Sequence, residues 1–174
     1  LPGRMHAWKR VDLVIDAFKE VKGDVRLLLA GSGEAESALR QRAEDESRIE
    51  FLGTVSDEKL VALYSGAIAV PFAPLREDYG YITLEAFASG KPVLTCSDSG
   101  EAAAIVQDGI TGRVVAPEVA ELAEAMQQCV DERGDAARMG QAGSEWVARL
   151  SWQRVVDALV AAAITEAPLP VDAA

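Results

Sequence analysis

Short, nearly uninterrupted apolar runs recur along the chain at residues 25–30, 49–52, 67–72 and 92–96, with a further short one at 112–115. Each is too brief for a helix of ordinary length, and none alternates as a half-exposed strand would. Such runs are what strands buried on both faces look like. Between them lie stretches of helical spacing. Val11, Val14, Ile15 and Phe18 recur at three and four within 9–22, and a second helix is expected over 34–46. Ser56 is placed to cap a third helix, whose apolar side is Leu60, Leu63 and Tyr64, with Lys59 where a capping box would carry glutamate. A fourth, containing Glu85, should stop at Ser89 and Gly90, since glycine ends helices and Pro92 forbids continuation. Strand–helix alternation with short loops predicts an α/β fold, a doubly wound parallel sheet. After residue 118 the pattern turns helical, with helices expected at 118–133, 135–150 and 151–164. The last of these would be capped by Ser151 and anchored by Trp152. Residues 166–174, with Pro168 and Pro170, are expected to form a flexible tail.

Ligands of such sheets lie at the carboxyl ends of the strands. The loops of interest are therefore those around Gly31 and Gly33, Gly53 to Val55, residues 73–80 and residues 97–101. The third is the most informative. Glu77 stands just before a helix start and Glu85 about one turn inside it, with Gly80, Tyr81, Ile82 and Thr83 between. The first N–H groups of a helix lack intrahelical partners and carry the positive end of its dipole, so this spot is suited to a phosphate. Carboxylates on both sides of an anion site repel the anion unless they serve something else. Hydroxyl groups flanking a phosphate, as in a nucleotide sugar, would give them that purpose.

The 174 residues suffice for one domain with a full core. With 17 basic and 28 acidic residues the formal net charge is −11, which argues against nucleic acid and against an anionic membrane surface as partners. Cys96 and Cys129 are far apart and fit small core residues in a reducing, cytoplasmic setting. No His, Cys and acid cluster has metal-ligand spacing. His6 reads as a surface histidine, and Trp8, Trp146 and Trp152 as packing residues. The chain starts at Leu1 without an initiator methionine, and is expected to be part of something longer.

The order of these signals resembles the C-terminal, donor-binding half of a retaining GT-B glycosyltransferase of the glycogen-synthase-like family 4. The resemblance rests on Gly3-Arg4 with Lys9, Gly31-Ser32-Gly33-Glu34, Phe51 to Ser56, the Glu-x7-Glu pair, Ala86 to Val93, and Val106 to Gly112. It implies a Rossmann-like, nucleotide-sugar-binding domain over residues 1–165. Arg4 and Lys9 would hold the donor diphosphate and stabilise it as it departs. Glu77 would stand beside the donor sugar as the catalytic acidic group, and Glu85 would accept hydrogen bonds from the ribose. Gly80, Tyr81, Ile82 and Thr83 would meet phosphate through the backbone, Val55 would meet the base edge, and Gly31 and Gly33 would border the nucleotide. The side chains of Ile82 and Phe87 would be core.

The same resemblance implies no cofactor beyond the nucleoside-diphosphate sugar itself. It also implies a separate N-terminal, acceptor-binding half, which carries any membrane contact, and most of a first strand before Gly3. The activity implied is transfer of a sugar to a hydroxyl acceptor with retention of configuration. Two rivals share the same site: a nucleotide-sugar-binding module without catalysis, and a nucleotide-sugar epimerase. One departure bears on them. Where relatives read Gly-Gly-x-x-Glu, this chain has Gly100, Glu101 and Ala104, so a strained left-handed turn at Glu101 is expected.

Overall fold

The computed structural model describes residues 1–165; the expected tail at 166–174 lies outside the described residues. Five strands and eight α-helices follow in order: β1 (Leu27–Ala30), β2 (Ile49–Gly53), β3 (Val70–Pro71), β4 (Val93–Cys96) and β5 (Gly112–Val115), with α1 (Val11–Glu20), α2 (Glu36–Arg42), α3 (Asp57–Gly66), α4 (Tyr81–Ala88), α5 (Glu101–Ile105), α6 (Val119–Asp131), α7 (Arg133–Val147) and α8 (Trp152–Thr165). A 3-10 turn, Ala7–Lys9, precedes α1. Every strand pairing is parallel.

The pairings fall into two sets, β1 with β2 and β3 with β4 and β5. Leu1 and Pro2 run beside β1: the Ala30 N–H donates to the Leu1 carbonyl at 3.0 Å, and Pro2 forms a parallel bridge with Ala30. That is the place expected for the end of a strand leading into Gly3. A cleft of about 510 Å³, bordered by Leu1, Leu28, Val70 and Leu94, separates this edge from β3.

Helices cover both faces, as the doubly wound pattern requires. On one face α1, α2 and α6 pack Val14, Ile15, Leu39, Leu122 and Met126 around Leu29 and Leu94. On the other, α3, α4 and α5 pack Tyr64, Phe87 and Ala102 around Val70 and Val93. Adjacent β4 residues thus feed opposite layers, Val93 one and Leu94 the other. Burying a side chain such as Leu94 is worth roughly 1.5–3 kcal/mol, and all four β4 residues are buried.

The helix that matters most, α4, is seated by α7. Phe87 is fully buried, with the Trp146 ring edge-on at 6.1 Å, and a Cβ at Gly143 would stand 2.6 Å from the Phe87 ring. Trp146 is therefore a packing residue, whereas Trp152 is 84% exposed and Trp8 60%, so neither has the packing role expected of it. Trp152 begins α8, where Ser151 does cap, accepting from the Arg154 N–H at 3.3 Å. Cys96 and Cys129 are free, buried core residues, and burial pushes both thiols up to about 11.

Candidate functional site

Two turns at the carboxyl end of the sheet meet the first ten residues. After β1, Gly31 and Gly33 lie directly under the entering chain: a Cβ at Gly31 would stand 1.9 Å from the Gly3 carbonyl oxygen, and one at Gly33 2.3 Å from that of Met5. Main-chain bonds fasten the two layers, with Gly3 N–H to Ala30 O, Met5 N–H to Ser32 O and Ala35 N–H to Met5 O, at 2.9–3.0 Å. Gly31 N–H also donates to Gly53 O at 2.7 Å, which sets the turn holding Val55 beside it. The glycines are needed because backbone crosses backbone here.

This crossing places Arg4 and His6 over Glu34. Arg4 lies 3.5 Å and His6 Nε2 3.0 Å from the Glu34 carboxylate. The Glu34 carboxyl is held below the usual carboxylate range, first by its own backbone N–H, with the Arg4 guanidinium adding. His6 also accepts from the Trp8 N–H through Nδ1 at 3.2 Å, capping the 3-10 turn. Both ring nitrogens are thus engaged in local structure.

After β3, residues 73–80 lie against residues 8–10. Leu75 N–H donates to Trp8 O at 2.7 Å, and Lys9 Nζ meets Glu77 Oε2 at 2.5 Å, with the two side chains only 28% and 20% exposed. Lys9 also sits 5.7 Å from the centre of the Phe72 ring. Glu77 itself is pinned through its backbone: its N–H donates to Ser99 O and its carbonyl accepts from Glu101 N–H, at 3.1 and 2.9 Å.

The expected strain at Glu101 is absent. Gly100 alone takes the left-handed turn, with φ of 64°, and Glu101 is the first residue of α5. Gly100 is required there because a Cβ would stand 2.5 Å from the Glu77 carbonyl oxygen. A second glycine at position 101 is not needed for this turn.

Gly80, with φ of 75°, turns the chain into α4 and supplies no side-chain cap. The site residues at this helix start then separate. Thr83 N–H donates to Gly80 O at 2.8 Å, so it is engaged within the turn, and the Thr83 hydroxyl is buried without a partner. The amides of Tyr81 and Ile82 have no acceptor among the described residues, which leaves them the open pair at the positive end of the helix. Ile82 is half-buried and crowds Gly3, whose added Cβ would be 3.2 Å from its terminal methyl group. The helix start therefore touches the same entering segment that carries Arg4 and Lys9.

Glu85, one turn on, accepts from the Tyr64 hydroxyl at 2.8 Å. Burial, and then the Glu85 carboxylate, push the Tyr64 hydroxyl well above its ordinary value, so it stays a donor. In the sequence Tyr64 reads only as part of the apolar side of α3. A buried tyrosine ring demands a partner for its hydroxyl, and that was the signal for this contact. Arg10 and Asp98, which pair beneath the 73–80 turn, carry no motif and are visible only in the structure.

The site thus comprises an open helix start, two cations on the entering segment and two carboxylates flanking the helix start, each charged side chain already holding a partner. The large cleft between β1 and β3 is elsewhere, and none of Arg4, Lys9, Glu77 or Glu85 lines it.

The chain is a parallel α/β layer fold whose α4 start opens beyond the strand ends. The chain belongs to the glycosyl transferases group 1 family, whose model matches residues 1–146. It is 32% identical over 168 residues to the D-inositol 3-phosphate glycosyltransferase of Mycolicibacterium smegmatis, covering 91% of this chain and 38% of that protein. It is 34% identical over 172 residues to the enzyme of that name in Mycobacterium tuberculosis, covering 91% and 35%. The fold superposes on Anabaena HepE, solved with UDP and glucose, at a TM-score of 0.81 and 23% identity, covering 95% of this chain and 47% of that one. The chain thus spans little more than a third of the length of these curated relatives. Among the described residues no helix is long and apolar enough to cross a membrane.

Proposed function

We propose that this chain is the donor-binding part of a retaining, family 4 glycosyltransferase that moves a sugar from a nucleoside diphosphate to a hydroxyl acceptor. The observation that carries this reading is the meeting of Lys9 with Glu77 at the mouth of the open α4 start. A cation, a carboxylate and free helix amides at one spot suit a ligand that is anionic in its middle and hydroxylated at its ends.

In this reading the diphosphate takes the amides of Tyr81 and Ile82, with Gly80 giving close approach. Lys9 and Arg4 exchange Glu77 and Glu34 for phosphate oxygens. As the bond from sugar C1 to the phosphate oxygen breaks, negative charge grows on the departing diphosphate, and fixed cations and helix amides stabilise it most at that moment. Glu85, steadied by Tyr64, accepts from ribose hydroxyls. Glu77 stands by the sugar, where a carboxylate can hold a hydroxyl and favour positive charge near C1. Val55, Gly31 and Gly33 border the base end. The acceptor belongs to the further half that the longer relatives imply, and proximity between the two halves would supply much of the rate.

A binding module without catalysis drew on the altered loop from Glu101 to Ala104. Gly100 makes the turn, so strain at Glu101 no longer favours that rival, and the glutamate replaced by Ala104 is what still does.

Calorimetry with UDP, GDP and ADP tests the reading. One of them should bind, and Glu85→Ala and Arg4→Ala should each weaken it, Glu85→Ala by about 1.5–3 kcal/mol as a charged hydrogen-bond partner is lost. Unchanged affinity in both variants would refute the site.

A further inference from the structure

We infer that Arg10 is a positioning residue that sets where Glu77 stands, and through it how tightly the sugar end of the donor is held; the second clause rests on the donor site proposed above. The backbone of Arg10 is left-handed, with φ of 46° and ψ of 43°, a conformation that costs a residue with a Cβ roughly 1–2 kcal/mol. Arg10 and Arg76 are the two non-glycine residues with positive φ among the described residues, and both belong to this junction. The strain at Arg10 is offset by what the side chain reaches.

Its side chain, 18% exposed, reaches two loops at once through the guanidinium. Nε donates to Ala73 O at 2.8 Å and one terminal nitrogen to Pro74 O at 2.9 Å, gripping the chain as it leaves β3. The two terminal nitrogens form a fork on the Asp98 carboxylate, at 2.9 and 2.6 Å, gripping the chain as it leaves β4. Planar, bidentate contacts of this type fix direction as well as distance, which a lysine could not do. From those two roots the loops run side by side: Arg76 N–H donates to Asp98 O and Glu77 N–H to Ser99 O, both at 3.1 Å. Glu77 is therefore the far end of a two-stranded strap whose near ends are both held by Arg10. The Arg10 side chain does not touch the open helix start or Glu85; its reach is to the sugar side of the site.

A residue that merely stabilised the fold would loosen the whole sheet when removed. A positioning residue loosens one strap. Arg10→Gly removes the guanidinium while relieving the backbone strain, and Arg10→Lys keeps the charge but cannot form the fork. Native-state hydrogen exchange, read residue by residue in the ligand-free chain, separates the two roles. The amides of Arg76, Glu77 and Glu101 should exchange roughly tenfold faster or more in Arg10→Gly, and faster also in Arg10→Lys, while Leu28, Leu29 and Leu94 stay unchanged. Should Arg10→Gly fail to fold, Arg10→Lys carries the same comparison.

Calorimetry gives the second readout. Where UDP-glucose binds more tightly than UDP to the parent chain, the margin should shrink several-fold in both variants with UDP affinity nearly unchanged. Exchange that is unchanged, or faster throughout the sheet, overturns the positioning role. Local acceleration with the sugar margin intact overturns the claim on donor specificity. A parent chain that binds no nucleotide refutes the donor site, and the exchange pattern still decides whether Arg10 holds the strap.

Discussion

The turn after β1 and the turn after β3 do the same topological job, and the second adds largely buried side-chain charges to the main-chain ties that both share. At Gly31 and Gly33 the main chain of one segment rests on the main chain of another, with bonds that no ligand or charge can replace. At residues 73–80 the ties include side-chain charges: Arg10 to Asp98, and Lys9 to Glu77. Backbone contacts give a fixed floor. In the proposed donor site the Lys9–Glu77 contact would be traded for phosphate oxygens and sugar hydroxyls without disturbing the floor. On that reading stability and ligand response fall to different loops, and substitutions should separate them.

The largest effect is expected at the floor. Gly31→Ala meets both a φ of 123° and a carbonyl 1.9 Å away, so it should destabilise by about 3 kcal/mol or more, read as a fall in the denaturation midpoint. Near-parent stability in that variant would break the contrast. Lys9→Met should act the other way round. It should weaken nucleoside diphosphate binding by about 1.5–3 kcal/mol in calorimetry, with a stability loss of about 1 kcal/mol at most. An unfolded Lys9→Met would show that this pair is part of the floor. Tyr64→Phe removes the donor that steadies Glu85 and should cost about 0.5–1.5 kcal/mol of nucleotide affinity, detectable as a fewfold rise in Kd. The smallest effect is expected where the two regions touch. Glu34→Gln releases Arg4, should leave stability within about 0.5 kcal/mol, and should tighten diphosphate binding by about twofold.

The same contrast explains what the sequence could tell. β4 and β5 are legible because their apolar runs end at Gly and Pro or at a turn, and Ser56 and Gly90 mark the ends of helices as expected. The run at 67–72 yields only Val70–Pro71, although past the proline the Phe72 N–H still donates to Leu94 O at 2.8 Å. Helix α5 escapes notice because five residues carry too little periodicity. In the site, Gly80, Glu77 and Glu85 are legible through their spacing around a helix start. What spacing cannot convey is who holds whom. An arginine in a left-handed conformation has no sequence signature, so Arg10 reads as one more cation beside Lys9. Asp98, 88 residues away, reads as a loop acid until the fold brings them together.

The central claim is that phosphate sits on the amides that open α4. A nitrogen–proton NMR titration of the chain with UDP, GDP or ADP tests it residue by residue. The account predicts that the amides of Tyr81 and Ile82 move most, with Lys9, Glu77 and Glu85 following. Shifts gathered instead along the cleft between β1 and β3, with Tyr81 and Ile82 unmoved, would contradict it.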